Sequence, residues 1–241
     1  TESDFYRELL LGNIEKSNYE DLKDEFISVN KDAYRIIIVK ASNDNLKNLS
    51  IIIDNIFVFD LNLILDSETI VVITSRKDSE ITEMCNFLFG EIYTELSLKT
   101  QITIGSKVNK LYNINKSLED ALSIIRLAER FNIKNDICYY EDFLVPLIVD
   151  NMNKDLLIKL NKNNSDKYNK IFQNKDLIFT AESFFKNNLN ITETSEKIFV
   201  HRNTLIYRIN KIKEISGFDL RLFDDALKFY IILLIKNMNE K

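Results

Sequence analysis

The sequence predicts an α+β fold, in which an α/β domain with a mixed β-sheet precedes an all-helical domain. Strand-like and helix-like segments alternate over residues 30–140, and one strand follows directly on another. From Asp142 onward every segment has the pattern of a helix or of a connection between helices. We therefore predict two domains, residues 1–142 and 143–241.

The distribution of charge changes in the same region of the chain. Residues 1–150 carry 16 Lys and Arg against 26 Asp and Glu, a net charge of −10. Residues 151–241 carry 16 against 11, a net charge of +5. A basic C-terminal part on an acidic body is typical of a DNA-binding module attached to another domain.

In the first domain, β-branched runs of strand length are separated by segments with apolar residues at helical spacing. The predicted strands are Tyr34–Val39, Ile56–Leu61, Thr69–Thr74, Gln101–Gly105 and Ile137–Tyr140. The predicted helices are Asp4–Asn13, Tyr19–Val29, Asp44–Asn55, Asp78–Leu96 and Ser117–Arg130. Because two of these strands have no helix between them, the sheet is predicted to be mixed.

The second domain is predicted to be helical throughout, with the sole proline, Pro146, near its start. Asn161–Asn164 is predicted to be a polar loop. The predicted helices are Phe143–Met152, Lys154–Leu160, Ser165–Phe172, Leu177–Asn187, Thr192–Phe199, Thr204–Ile215 and Asp224–Ile235. The last of these is apolar nearly all round, which leaves two interpretations open: the core of this domain, or part of a dimer interface.

The composition excludes several kinds of site. Cys85 and Cys138 are the only cysteines, which does not make a disulfide framework and fits a reducing cytoplasm. His201 is the only histidine, so a multi-histidine metal site is excluded, and no partner motif supports its use as a catalytic base. No apolar run reaches the length of a membrane span. We therefore predict a cytoplasmic protein with no metal, cofactor or catalytic residue.

Residues 190–217 have the pattern of a helix-turn-helix, in which two short helices are joined by a tight polar turn. Asn190 or Thr192 can cap the first helix, and Asn203 or Thr204 can cap the second. Gly217 supplies a residue for a left-handed C-terminal cap.

The second helix presents side chains suited to DNA. Arg can bind guanine in bidentate fashion and Asn can bind adenine, whereas lysines such as Lys211 and Lys213 are better suited to phosphate. The candidate DNA-binding residues are His201, Arg202, Asn203, Thr204, Tyr207, Arg208, Lys211 and Lys213. Alternatives stay open: Arg202 and Arg208 as solvated charges, Tyr207 packed beneath the helix, and Asn203 as a cap.

The run Phe199–Ile209 (FVHRNTLIYRI) resembles the signature of the PucR/CdaR family, regulators of purine and sugar-diacid use. The resemblance continues through Ile215–Leu220 and the final apolar helix, and it includes Phe184–Asn188 upstream. It implies a double-stranded DNA target. The family names also imply a small-molecule effector, which they do not identify. Because a single small helix-turn-helix buries too little surface for tight specific binding, we expect a homodimer or higher homo-oligomer. Family members often have a ligand-recognition domain ahead of this point, and we expect none within residues 1–241.

The front half is similar to the GGDEF-like central domain of that family. The similarity lies in Phe5–Gly12, Ile102–Gly105, Ala121–Ala128 and Cys138–Asp142. In active cyclases a Gly-Gly-acid-acid-Phe hairpin holds the nucleotide, but Leu65–Thr69 has no glycine pair and no adjacent acidic pair. We therefore expect a catalytically degenerate domain that dimerises or transmits a signal.

The sequence thus predicts a sequence-specific transcriptional regulator of a metabolic operon, and not an enzyme. Two alternatives remain: a degenerate nucleotide-binding signalling protein, and a protein-interaction module with a basic helical domain.

Overall fold

A computed structural model of the chain describes residues 1–26, 31–40, 43–153, 155–156 and 165–239. These residues form two compact units, Thr1–Leu144 and Val145–Lys241. The predicted loop Asn161–Asn164 lies outside the described residues, as do most of the predicted helix Lys154–Leu160 and the end of the predicted helix Tyr19–Val29.

The first unit contains helices and strands in alternation. Its helices are α1 (Glu2–Leu10), α2 (Lys16–Phe26), α3 (Leu46–Ile56), α4 (Asp78–Leu96) and α5 (Ile114–Arg130). Its strands are β1 (Arg35–Lys40), β2 (Leu61–Ile64), β3 (Thr69–Thr74), β4 (Ile102–Ile104) and β5 (Ile137–Tyr139).

The described strands form one five-stranded sheet in the order β2-β3-β1-β4-β5. β1 is antiparallel to both β3 and β4, β2 is antiparallel to β3, and β4 is parallel to β5. The prediction of a mixed sheet is confirmed. The central position of β1 follows from its sequence, because an uninterrupted run of β-branched residues can be buried on both faces.

Alternate residues of β1 supply two apolar layers, since successive side chains of a strand point to opposite faces. Ile37 and Val39 belong to the layer covered by α3 and α4. Ile36 and Ile38 belong to the layer that includes residues of α1 and α5. All four side chains are fully buried, and each contributes about 1.5–3 kcal/mol of hydrophobic stabilisation.

The predicted strand Ile56–Leu61 is wrong. Helix α3 continues through Ile56, and the main-chain N–H of Phe57 donates to Ile53 O at 2.7 Å. Phe57 is fully buried and follows Leu49 and Ile53 at helical spacing. Its burial on the same face therefore continues the helical backbone as far as Phe57. The strand begins only at Leu61. Aromatic and β-branched residues in this run resembled a strand, but the packing of Phe57 beneath α3 determines the structure.

Helix α5 approaches the backbone at Gly105, just after β4, very closely. A Cβ atom on Gly105 would lie 2.0 Å from the carbonyl oxygen of Ser117. The Ser117 hydroxyl accepts a hydrogen bond from the Ile36 N–H at 3.0 Å and donates one to Ser106 O at 2.6 Å. Only glycine allows this contact between helix and sheet.

The second unit consists of helices around its own core. They are α6 (Leu144–Asp150), α7 (Ser165–Phe172), α8 (Lys175–Lys186), α9 (Ile191–Lys197), α10 (Arg202–Ser216) and α11 (Phe223–Asn239). The core includes Phe184 of α8, Leu205 and Ile209 of α10, and Phe229 of α11. The final helix therefore contributes to the core of this unit, one of the two interpretations that its sequence left open.

Candidate nucleic-acid interface

Helices α9 and α10 and the connection at residues 198–201 form the predicted helix-turn-helix. Asn190 caps α9, and its Oδ1 accepts a hydrogen bond from the Glu193 N–H at 3.1 Å. At the far end of α10, Gly217 adopts a left-handed conformation with φ +85°, and its N–H donates to Lys213 O at 2.8 Å. The predicted left-handed cap at Gly217 is confirmed.

The turn between the two helices is a Schellman motif. The N–H of Val200 donates to Ser195 O at 3.0 Å, and the N–H of Phe199 donates to Glu196 O at 3.2 Å. Phe199 occupies the left-handed position with φ +54°. Most helices that end in this way have glycine there. The sequence did not single out Phe199 as a functional residue.

The N-cap of α10 is His201, so the prediction that Asn203 or Thr204 caps this helix is wrong. The Nδ1 atom of His201 accepts a hydrogen bond from the Asn203 N–H at 3.2 Å. The helix consequently begins at Arg202, two residues earlier than predicted. This releases the side chains of Asn203 and Thr204, both of which are exposed.

Helix α10 has one buried face and one exposed face. Leu205, Ile209 and Ile212 are fully buried. Because an α-helix turns by about 100° per residue, Asn203 and Tyr207 lie on the opposite face. The Tyr207 side chain is 66% exposed, so the alternative that it packs beneath the helix is wrong. The outward face of α10 therefore has a tyrosine and an asparagine at its centre.

Arg208 lies on the flank of α10 and is directed towards α8. Its Nη1 donates to the Thr180 hydroxyl at 3.3 Å, and its Nη2 lies 3.5 Å from an Asp176 carboxylate oxygen. The Arg208 side chain is 21% exposed. These contacts favour a role in holding the recognition helix against α8.

The two lysines of the second half of α10 both have carboxylate partners. Lys211 Nζ lies 2.9 Å from Glu214, and Lys213 Nζ lies 3.0 Å from Asp219. Asp219 is mostly buried and also accepts hydrogen bonds from Arg221 at 2.7 and 2.8 Å. The hydrogen bonds from Arg221 and Lys213 hold the pKa of Asp219 well below its usual range.

The start of α10 is where exposed polar side chains gather. His201, Arg202, Asn203 and Thr204 are all exposed. Because His201 Nδ1 is the acceptor in the cap, the neutral ring carries its proton on Nε2, which is left as a donor. The side chain of Arg202 makes no hydrogen bond or ion pair with another residue in the described part of the chain.

Several residues that shape this face had only weak signals in the sequence. Asp176 is in the first turn of α8, where an acidic residue is expected for the helix dipole alone. Asp219 pairs with Arg221, which is two residues later in the chain. A search of the sequence for acidic and basic residues at such short spacings would find this pair. In the sequence, Phe199 stands out only as the first residue of the run that resembles the PucR/CdaR signature.

The hairpin between β2 and β3, where an active cyclase would hold its nucleotide, has a side-chain hydrogen bond within its turn and contacts Arg7 of α1. Asp66 accepts a hydrogen bond from the Glu68 N–H at 2.8 Å, as a turn acid does. Arg7 donates to Ile64 O at 2.7 Å and to Leu65 O at 3.0 Å. No group of three or more acidic, histidine or cysteine side chains in the described residues could hold a metal ion.

Of the helices that the structure describes, none combines the length and the apolar character needed to span a bilayer.

Part of the C-terminal unit is similar to a known family of helix-turn-helix domains. Residues 177–235 match the PucR C-terminal helix-turn-helix domain. This segment begins in α8 and ends in α11, and it includes the whole of α9, the turn and α10.

Relatives of the chain include proteins with regulatory names, of which three follow. Over 56% of its length the chain is 27% identical to the carbohydrate diacid regulator of Escherichia coli (strain K12), covering 35% of that protein. Over 72% it is 25% identical to the proline-responsive transcriptional activator PutR of Bacillus subtilis (strain 168), covering 44%. Over 98% it is 22% identical to the DNA-binding transcriptional activator AdeR of the same organism, covering 60%. The chain thus spans between about a third and three fifths of these relatives.

Proposed function

We propose that this chain, whose residues 177–235 match the PucR C-terminal helix-turn-helix domain, is a sequence-specific DNA-binding transcriptional regulator of metabolic genes. One observation carries the proposal: the start of α10 is free of carboxylates and exposes four consecutive polar side chains, His201 to Thr204. The match of this segment to the PucR domain and the regulatory names of the relatives support it.

In this proposal the N-terminal half of α10 enters the major groove. Asn203 is placed to bind adenine and Arg202 to bind guanine, while Thr204 and Tyr207 contact neighbouring base edges. The Nε2–H of His201 donates to a phosphate oxygen. The second half of the helix is less suited to DNA, because Glu214 lies beside Lys211 and would face the phosphates with a negative charge.

Arg208 and Lys213 have supporting roles in this proposal. Arg208 fixes α10 against α8 through Asp176 and Thr180. Lys213 pairs with Asp219 just beyond the helix end. Both act on DNA binding through the orientation of α10, and Lys211 remains the lysine of this helix best placed for a phosphate.

We propose that the chain acts as a homodimer or higher homo-oligomer, with one half-site for each recognition helix. A single helix-turn-helix buries too little surface for tight and specific binding, and two-fold symmetric operators match protein dimers. The first unit would supply dimerisation or signal transmission. Its hairpin, held by Arg7 and the Asp66 turn, supports a GGDEF-like domain without cyclase activity.

The signal in this proposal is a small metabolite, and the site of action is the bacterial cytoplasm, where the chromosome lies. The relatives named for carbohydrate diacids and for proline support a metabolic effector as a class. They do not select one compound for this chain.

The test is selection of duplexes from a random library, followed by fluorescence anisotropy with the enriched duplex and a scrambled duplex at two salt concentrations. We expect the enriched duplex to bind on the order of 10³-fold more tightly than the scrambled one. The logarithm of the binding constant should fall by about 0.9 per phosphate contact for each tenfold rise in salt.

Asn203→Ala should weaken specific binding by about 1–3 kcal/mol, with little effect on the scrambled duplex. Asn169→Ala, at an exposed asparagine of α7, is the matched control and should bind like the wild-type protein. Enrichment of no sequence would refute the proposal and leave the protein-interaction alternative.

A further inference from the structure

Four helix ends in the described part of the chain share one hydrogen-bonding pattern. One of them has an unusual residue at the left-handed position that this pattern requires. Helices α1, α5, α8 and α9 each end in paired main-chain hydrogen bonds of the Schellman type. The left-handed position is Gly12 after α1, Asn132 after α5 and Asn188 after α8. Glycine and asparagine tolerate this conformation best. After α9 the same position is Phe199, with φ +54°.

Phe199 gains nothing from the fold that would offset this conformation. Its side chain is 95% exposed, the largest exposed fraction among the described large apolar residues. Leu189 also has a positive φ of 59°, but its side chain packs against the core of its unit. Glycine at position 199 would relieve the backbone and remove an apolar ring from water. Folding therefore does not explain the phenylalanine, and an outlier of this kind points to function.

The position of Phe199 indicates what it meets. It precedes the N-cap His201 by two residues and Arg202 by three, so it sits at the end of α10 that carries the exposed polar groups. In B-DNA the apolar group that the major groove presents to a protein is the C5-methyl of thymine. A ring at the entrance of the recognition helix matches that group and not a phosphate.

We propose that Phe199 is a specificity-determining residue, which packs against a thymine C5-methyl group at the edge of the major groove. The inference rests on the proposed function, since it assumes that the N-terminal end of α10 lies in the groove. The contact of Phe199 would add a preference for thymine at one position of each half-site. That position lies next to the N-terminal end of the recognition helix, where the turn is. A ring that covers a methyl group releases no counterion, so this preference is independent of salt.

The experiment uses the full chain and the enriched duplex of the selection described above. Phe199→Asn keeps a residue that tolerates positive φ and removes the ring, and Phe199→Gly does the same without a side chain. Phe223→Asn removes another exposed phenylalanine of the same unit and is the matched control. Thermal unfolding of each variant is measured alongside, and both Phe199 variants should unfold at or above the wild-type midpoint.

Repeating the selection with Phe199→Asn should enrich the same sequence except at one thymine, which becomes variable. Replacing that thymine by deoxyuridine, which lacks only the methyl group, should weaken wild-type binding about fourfold, as for one buried methylene. The same replacement should leave the affinity of the Phe199→Asn protein for the duplex unchanged. Phe223→Asn should respond to deoxyuridine as the wild-type protein does, and the salt slope should be the same for all four proteins.

Three outcomes would overturn the inference. If the wild-type protein selects a sequence and both Phe199 variants select the same one, Phe199 does not read DNA, and the proposed function stands. If sedimentation shows that the variants lose self-association while their base preference is intact, the ring contacts a second copy of the chain. Failure of the wild-type protein to select any sequence would refute the proposed function itself, and the inference with it.

Discussion

The ring of His201 accepts a hydrogen bond through Nδ1 from the main-chain N–H of Asn203, at 3.2 Å. This bond starts the recognition helix at Arg202 and leaves the Asn203 amide directed to solvent. It also fixes the neutral tautomer with the proton on Nε2. One imidazole thus caps the helix at one nitrogen and offers a donor at the other.

The two functions of His201 can be separated by substitution. His201→Asn keeps a capping acceptor and should retain the stability of the unit, whereas His201→Ala should lower it by about 1 kcal/mol. Both variants lose the Nε2 donor, so both should bind all duplexes more weakly. Thermal unfolding and anisotropy would be measured for each. Equal stability of the two variants would show that the cap contributes nothing.

Arg208 is expected to act through its contact with α8. Substitution of Arg208 and Asp176 by alanine, singly and together, should give a coupling energy of about 0.5 kcal/mol in unfolding experiments, since Asp176 is exposed. Arg208→Ala should weaken binding to enriched and scrambled duplexes alike. If it instead relaxes the preference at a single base pair, Arg208 reads a base, as the sequence suggested.

Asp219 should make the stability of the C-terminal unit sensitive to acid. Its pKa is lowered in the folded protein, chiefly by the hydrogen bonds from Arg221 and then Lys213, so its contribution is complete above its unfolded pKa. That contribution is lost as the pH falls from about 4 towards the lowered folded pKa. Hydrogen exchange of α10 amides between neutral and acidic pH would report this loss.

Asp219→Asn supplies the comparison. It should destabilise the unit at neutral pH by about 1–3 kcal/mol, because hydrogen bonds from two charged groups are weakened. Below the pKa of the unfolded carboxyl the difference from the wild-type protein should shrink. A constant difference at all pH values would mean that the charge of Asp219 is unimportant.

Two glycines offer a matched pair for the first unit. Gly105→Ala would place a methyl 2.0 Å from the main-chain oxygen of Ser117, so α5 must shift, at a cost of about 3 kcal/mol or more. Apart from its chain neighbours and the backbone of α4 around it, nothing lies within 4 Å of a Cβ placed on Gly90, so Gly90→Ala should stabilise the unit by up to about 1 kcal/mol. Chemical denaturation would measure both, and similar effects would contradict the close approach of α5.

Patterns within short stretches of the sequence were enough to predict several elements of this protein. The predicted bounds of α4 and β3 agree with the structure, because α4 has buried residues at helical spacing and β3 is a β-branched run that is buried throughout. The helix-turn-helix was also predictable, since its motif, polar turn and Gly217 cap all lie within one short segment. The turn and the caps of the helix-turn-helix depend on contacts between residues that are near in sequence.

Only the tertiary structure decided which polar side chains are available. The contact of Arg208 with Asp176 depends on how α8 and α10 pack, and the burial of Phe57 moved a strand boundary. The sequence indicates that Arg208 lies away from the buried stripe of its helix. Which carboxylate it contacts depends on how closely the neighbouring helix packs against α10. The sequence therefore determined the motif, and packing separated the side chains that face outward from those that support it.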